Sequence, residues 1–473
     1  MSNNPVKYLR QFPNKFWLLN FIQMTEKLAY WIVVLQMPIY IAQKDIPGGL
    51  HWDQTIKGII YFWWALMQHV IPLIAGGYAD RYGRRKFLNI SFLLIILGYV
   101  IIGSTQDFSI FLIGVIILGG GSGIFKPTLQ GSIADSLDET NSRIGWGLYV
   151  MLLNFAVFFG PPVSIFLKNI SWSMVFYGSA ALFTLNFLLT WFIKDFKTPN
   201  KASRFSGLKV LRKTFKGLAS FKIGAFVLLM SGFTIIYMQF YETLPNFIYD
   251  WVDTSQIVND LNLAAHFTMD IDRGTMVAYE WLYNLNAGFV IIGVVFFSWL
   301  MKKFELTTSI IIGIIIATAG LFMSGATMLG YMTVAGMLVY TLGEMITNPR
   351  FTEYMGKIAP KEDKALYMGY MSISWAIGLA GGGVLGGFIY KHLGEKAGFA
   401  LDYMQANHPE AEVNIKTAFQ KLTEAENLTS KEATNLLWNS YDPYMVWLPF
   451  VAIGIVSVIG LVWYGWRTHI KNQ

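Results

Sequence analysis

The chain has no cysteine among its 473 residues, so disulfides and thiolate metal sites are excluded. Histidine is scarce too. Its six copies are scattered without the spacing that metal ligation requires, so no metal or cofactor is expected. Charged residues make up only 14% of the chain, against 54% hydrophobic and 16% aromatic, with a mean hydropathy of +0.44. A bilayer-spanning helix needs about 20 apolar residues, and the apolar runs reach that length repeatedly. They fall near 16–42, 54–79, 87–105, 108–134, 145–167, 172–193, 223–249, 281–301, 306–328, 331–356, 365–391 and 443–466. The expectation is an all-α, multi-pass protein of the cell (inner) membrane with twelve transmembrane helices. The first run is too long for a cleavable signal and lacks a small-residue cleavage site, so it reads as the first span. No nucleophile–base pair or metal cluster stands out within the runs, which makes an enzyme the least favoured class.

The formal net charge of +7 does not point to nucleic acid, because the cations are sorted by position. Lys7, Arg10 and Lys15 precede the first run, Arg81, Arg84, Arg85 and Lys86 follow the second, and nine lysines and arginines crowd 194–222 after the sixth. Alternate loops carry Asp45, Asp53, Asp107, Asp250, Asp253, Asp260, Asp270 and Asp272 instead. By the positive-inside rule both termini are cytoplasmic. The basic stretch 194–222 reads as a linker between an N-terminal six-helix bundle, 1–193, and a C-terminal one, 223–473. Residues 394–440 form an insertion on the outer side, where Ile415, Phe419 and Leu422 follow helical spacing. Thr429 with Glu432 has the form of a capping box, and two or three short amphipathic helices are expected there.

Within the first run Glu26 and Lys27 sit midway along an apolar stretch, where a charge costs roughly 2.5–3.5 kcal/mol on insertion scales. Gln23, Glu26, Lys27 and Tyr30 share one helical face, which is expected to line a polar cavity. Adjacent charges on one turn make a poor pair, so partners on other helices are expected, Lys126 for Glu26 among them. The fourth run places Lys126 beside Pro127 at membrane depth. The fifth contains Asn154, with Pro161 and Pro162 expected to break the helix near its far end. Glu242 lies late in the seventh, with Lys27 as its nearest expected cation; Asn286 is in the eighth and Glu344 in the tenth. The eleventh carries Gly378, Gly381, Gly382, Gly383, Gly386 and Gly387, a pattern that permits close helix approach. His69 titrates near neutral pH when unperturbed, although a lone helical histidine is more often a packing residue.

The loop after the second run reads AGGYADRYGRRK, with Gly76, Asp80, Arg81, Gly83, Arg84 and Arg85 at G-x-x-x-D-R-x-G-R-R spacing. This motif resembles that of the major facilitator superfamily, in which it braces the cytoplasmic gate. The resemblance implies two six-helix bundles and gating roles for Gly76, Asp80, Arg81, Gly83 and Arg84. Asp80 is expected to complement a helix N-terminus and Arg81 to pair with Asp135. Along nearly the whole chain the sequence is further similar to the proton-coupled oligopeptide transporters. QMTEKLAYW keeps Glu26 and Tyr30 of that family's E-x-x-E-R-F-x-Y-Y-G motif, Lys126–Pro127 matches its fourth helix, and Tyr149, Leu153 and Asn154 match part of its fifth. Tyr241, Glu242 and Thr243 fall on its seventh-helix motif, Asn286 on its eighth helix, and Gly343, Glu344, Asn348, Pro349, Lys357, Ala359 and Pro360 on its tenth. Gln23 and Lys27 depart from the family's glutamate and arginine, and His69 stands where the family has a tyrosine.

The resemblance implies a symporter that imports di- or tripeptides, or a peptide-like zwitterion, by alternating access, with protons and membrane lipid as its other partners and a monomer as its state. By charge, Glu344 is assigned the substrate ammonium, Lys126 and Lys27 its carboxylate, and Tyr30, Asn154 and Asn286 neutral hydrogen bonds. Glu242, Glu26 and His69 are the residues considered for proton coupling, with Glu242 preferred. Competing readings are a facilitator or exporter of another organic solute, suggested by the altered first-helix motif, and a transporter-like receptor without flux.

Overall fold

A computed structural model describes residues 12–138, 141–193, 207–360 and 364–470. Lys7, Arg10 and the basic residues between 194 and 206 lie outside the described residues. The described elements begin with α1 (Asn14–Val34), α2 (Met37–Ala42), α3 (Gln54–Val70), α4 (Pro72–Tyr82), α5 (Arg84–Ser104) and α6 (Phe108–Ala134). They continue through α7 (Ser142–Ile170), α8 (Trp172–Leu189), α9 (Gly207–Leu218), α10 (Phe221–Glu242), α11 (Leu244–Trp251) and α12 (Ser255–Leu261). After a hairpin of β1 (Thr268–Ile271) and β2 (Gly274–Val277) come α13 (Tyr279–Leu300), α14 (Leu306–Gly325), α15 (Gly330–Ile358) and α16 (Lys364–Leu393). The segment 394–440 then forms α17 (Lys396–Asn407), α18 (Ala418–Glu426) and α19 (Ser430–Tyr441), and α20 (Leu448–Ile470) follows.

Each of the twelve apolar runs lies on one or two of these helices. Among the described residues nine helices are long and apolar enough to cross a membrane, or ten if α3 and α4, bent by 43°, count as one span. The remaining two runs form α13 and α15, of 22 and 29 residues. Where spans break, proline sets the place. Pro38, Pro72 and Pro245 each occupy the first turn of a new helix, where the missing N–H has no intrahelical partner to lose. Pro161 and Pro162 do not break α7, contrary to expectation; the helix runs on to Ile170. In a membrane a helix tolerates interior proline because neighbouring groups take up the freed carbonyls.

Two compact units emerge. Unit 1 comprises Met1–Val34 and Trp63–Ser220, and unit 2 comprises Leu35–Phe62 and Phe221–Gln473. Unit 1 packs α5 along α6 and sets α1 against α7 and α8, where Thr25 donates to Asn186 Oδ1 (2.6 Å) and Ser164 to the Ile32 carbonyl (2.7 Å). Unit 2 packs α14 along α15 and α10 along α16. The glycines of α16 let the first part of α3 approach backbone to backbone: a Cβ on Gly58 would stand 2.6 Å from the Gly383 carbonyl oxygen.

The insertion 394–440 forms three helices, and Thr429 and Glu432 make the reciprocal capping box at the start of α19. The β1–β2 hairpin was not foreseen. Its strands pair antiparallel with Asp272 and Arg273 in the turn, and Gly274 takes φ +116°, a conformation that glycine adopts without strain.

Candidate functional site

Unit 1 gathers the first-helix polar face. Gln23 donates its amide to Glu26 Oε2 at 2.6 Å, and Tyr149 donates to Gln23 Oε1 at 3.5 Å while accepting from Gln130 at 3.0 Å. Lys27 Nζ stands 3.5 Å from the Glu26 carboxylate and 4.9 Å from the centre of the Tyr30 ring. The adjacent charges therefore do contact each other, against the expectation that they would look only elsewhere. Gln23, which cannot ionise, supplies the shorter of the two contacts to Glu26. Lys126 is exposed on α6 and forms no hydrogen bond or ion pair among the described residues. Asn154 is half-buried and donates to the Val150 carbonyl of its own helix, and His69 is half-buried near the end of α3.

In unit 1, Gly83 takes φ +108° between α4 and α5 and so makes Arg84 the first residue of α5. From there the Arg84 guanidinium reaches Asp80 Oδ1 and Asp135 Oδ2, each at 2.6 Å. The bridge to Asp135 is thus made by Arg84, where Arg81 was expected, and Asp80 acts as an ion-pair partner in place of a helix cap. Arg81 lies over the Tyr82 ring at 5.3 Å. Gly76 faces Pro127 of α6.

Two of the polar groups among the described residues of unit 2 contain residues singled out in the sequence. Glu344, half-buried on α15, accepts from Asn286 and from Asn348, each at 3.4 Å. Asn286 also donates to Thr341 (2.7 Å) and accepts from Tyr241 (3.4 Å), so its side chain is fixed from three sides.

The second group contains Glu242 and Lys57, a cation that its place near the end of a span does not mark as buried. Lys57 Nζ lies 2.8 Å from Glu242 Oε1, with neither side chain exposed. Glu242 is therefore paired with Lys57 of α3, not with Lys27 as expected. Lys57 also donates to Asn246 Oδ1 (2.9 Å) and to the Glu242 carbonyl (3.3 Å). Asn246 donates to Gln43 (3.2 Å), Gln43 donates to Asp250 (2.7 Å), and Tyr390 donates to the other Asp250 oxygen (2.6 Å). A continuous buried chain thus runs from Glu242 to α16. Nearby, Gln36 donates to Glu280 at 2.8 Å and accepts from Tyr279 at 2.7 Å.

Some of this was recoverable from spacing. Glu242, Asn246 and Asp250 stand four residues apart, and Lys57 is a lone cation between Ile56 and Gly58 near the start of an apolar run. A lysine so near the end of a span normally extends its ammonium to the interface. Only the packing shows that Lys57 turns inward.

Among the described residues no group of three or more potential metal ligands occurs.

A family model described as Major Facilitator Superfamily matches residues 19–382. An uncharacterized MFS-type transporter, YttB of Bacillus subtilis (strain 168), is 23% identical over 328 residues, which are 68% of this chain and 77% of that protein. In fold the chain is similar to the crystal structure of the nucleoside transporter NupG, with a TM-score of 0.68 at 13% identity over 96% of this chain and 99% of that one. It is also similar to a POT family transporter solved in complex with 5-aminolevulinic acid, with a TM-score of 0.63 at 17% identity over 95% of each chain.

Proposed function

This chain belongs to the major facilitator superfamily and is a multi-pass membrane transporter, and from that premise we propose that it is a proton-coupled symporter for a small zwitterionic or peptide-like solute. The observation that carries the reading is the buried Lys57–Glu242 pair. Taking two charges out of water costs several kcal/mol per ion, and the cost is offset only when the pair is well made and its remaining hydrogen bonds are filled. Lys57 meets that condition through Asn246 and the Glu242 carbonyl.

A proton added to Glu242 removes one of the two charges and leaves the ammonium with neutral partners alone. The packing of Leu35–Phe62 within unit 2 then depends on the protonation of one carboxyl. That is the differential free energy a proton needs in order to shift a conformational equilibrium. Glu242 is the proton carrier in this reading and Lys57 its counter-charge, while Glu26 is held by Gln23 and Lys27.

The substrate assignment rests on charge. Glu344, with Asn286 and Asn348 beside it, takes the ammonium; Lys126 and Lys27 take the carboxylate; Tyr30 and Asn154 contribute neutral contacts. Arg84, Asp80 and Asp135, with Gly76, Gly83 and Arg81 around them, form the cytoplasmic gate. The 5-aminolevulinic acid bound by the POT family transporter is a zwitterion of the kind this charge arrangement suits. A facilitator of another organic solute is the second reading, favoured by Gln23, which removes an ionisable group from the first helix.

Uptake into proteoliposomes under an imposed pH gradient tests the assignment, with a dipeptide, 5-aminolevulinic acid and a nucleoside supplied in parallel. Accumulation of the dipeptide or of 5-aminolevulinic acid, driven by the gradient and abolished by a protonophore, is the expected result. Counterflow without any response to the pH gradient would select the facilitator. Accumulation of the nucleoside alone would overturn the substrate class.

A further inference from the structure

One element at the cytoplasmic end of unit 1 has no part in the polar clusters or the gate. α9, GLKVLRKTFKGL, contains no acidic residue. At 100° per residue Val210, Leu211, Thr214 and Leu218 share one side, and Arg212, Lys213 and Lys216 fall on the opposite one. The apolar side is used within the unit. α9 packs against α4, Thr214 is buried, and a Cβ on Gly207 would stand 3.1 Å from the Tyr78 hydroxyl.

Phe215 lies at the border between the two sides. It is 68% exposed, while Arg212, Lys213 and Lys216 beside it are exposed as well. Exposed apolar residues on the spans face lipid tails, but α9 is not a span. A phenyl ring left outside the fold among three cations matches the edge of an interfacial helix, whose rings enter the headgroup boundary while its cations meet anionic lipid. The position agrees: α4, on which α9 rests, is the cytoplasmic end of the second span, so the helix stands close to headgroup level.

We propose that α9 lies along the cytoplasmic surface of the bilayer, with Arg212, Lys213 and Lys216 bound to anionic phospholipid headgroups and Phe215 inserted at the hydrocarbon boundary. The occupant is the membrane itself, on grounds of charge complementarity and continuity with the spans. The interaction depends on salt, because juxtamembrane cations act through a surface potential that decays within a Debye length.

The absence of cysteine makes the test direct, since Phe215→Cys in the full chain gives a unique site for a nitroxide label. The protein is placed in nanodiscs of phosphatidylcholine, with or without phosphatidylglycerol. The accessibility of the label to oxygen, which partitions into hydrocarbon, is compared with its accessibility to a water-soluble nickel reagent. With phosphatidylglycerol present the oxygen-to-nickel ratio is expected to rise several-fold, and to fall back when Arg212, Lys213 and Lys216 are replaced by glutamine or when salt is raised. A second label at Lys216→Cys is expected to stay accessible to nickel in both lipids, which separates insertion of one edge from general loss of structure. A label at 215 that remains water-exposed in both lipids overturns the proposal and leaves an acidic protein as the partner to seek. Equal insertion with and without phosphatidylglycerol overturns the headgroup contribution.

Discussion

Lys57 Nζ and Glu242 Oε1 meet 2.8 Å apart with neither side chain reaching solvent, and this contact ties the start of the second span to the end of α10 inside one unit. Removing one partner of a buried pair leaves an uncompensated charge and typically costs about 3–5 kcal/mol. Lys57→Met is therefore expected to lower the melting temperature sharply. Lys57→Met combined with Glu242→Gln is expected to recover most of the loss. A double variant as unstable as the single one, in a thermal unfolding assay on purified protein, would show that the two residues do not act as a pair.

The functional counterpart is Glu242→Gln alone, which mimics a permanently protonated carboxyl. This variant is expected to lose pH-driven accumulation in proteoliposomes while keeping measurable substrate exchange. Continued uphill transport under a pH gradient would move the proton site elsewhere, with His69 next to be tested.

Glu344→Gln and Lys126→Ala are each expected to reduce uptake to background while leaving a folded, membrane-inserted protein, because each removes the charge assigned to one end of the solute. Gel filtration together with radiolabelled uptake distinguishes loss of function from loss of fold. Full transport by either variant would refute the charge assignment.

For the gate, Arg84→Ala is expected to change exchange rates more than equilibrium ligand affinity, since its guanidinium holds Asp80 and Asp135 at the cytoplasmic loops. Asp80→Asn is expected to act in the same direction but less, as the Arg84–Asp135 contact remains. Equal losses in binding and in flux would argue against a gating role.

Lys431 of the insertion 394–440 makes a pH-dependent contact with Asp253. Burial alone would raise the Asp253 carboxyl, but the Lys431 ammonium at 2.8 Å and the Ser255 hydroxyl and N–H outweigh it and hold the carboxyl below its usual range. A depressed acid stabilises the folded form above its unfolded value, about 3.9, and that contribution is lost as pH falls through the folded value. Hydrogen exchange in α19 is therefore expected to quicken as pH drops below about 4, after correction for the intrinsic rate. Asp253→Asn is expected to remove that response. An unchanged pH profile in the variant would show that the contact does not hold α19.

The positions of the spans were legible because hydrophobic length is a local property: each apolar run became helix, and the capping box at Thr429 formed as its spacing implied. The proline effects were legible in part. Pro72 begins a new helix, yet Pro161 and Pro162 ride inside α7, since the cost of a missing N–H depends on what neighbouring elements offer the freed carbonyl. The G-x-x-x-D-R-x-G-R-R spacing implied an ion pair to Asp135 but not which arginine makes it. Which of two nearby arginines reaches Asp135 is decided by the direction in which α5 leaves Gly83.

By itself, then, the sequence determined where the twelve apolar runs lie and the chemical types they carry: Glu26, Lys27, Lys126, Glu242, Asn286 and Glu344. What only the tertiary structure decided is which of these charges meet. Lys57 became the counter-charge of Glu242 because the glycines of α16 admit the first turns of α3 to backbone contact, carrying inward a lysine that its place in the sequence would have left at the membrane surface. A linear pattern records how apolar a segment is and which face it presents. The pairing of buried charges depends on distances across helices far apart in sequence, and those are set by how closely the backbones pack.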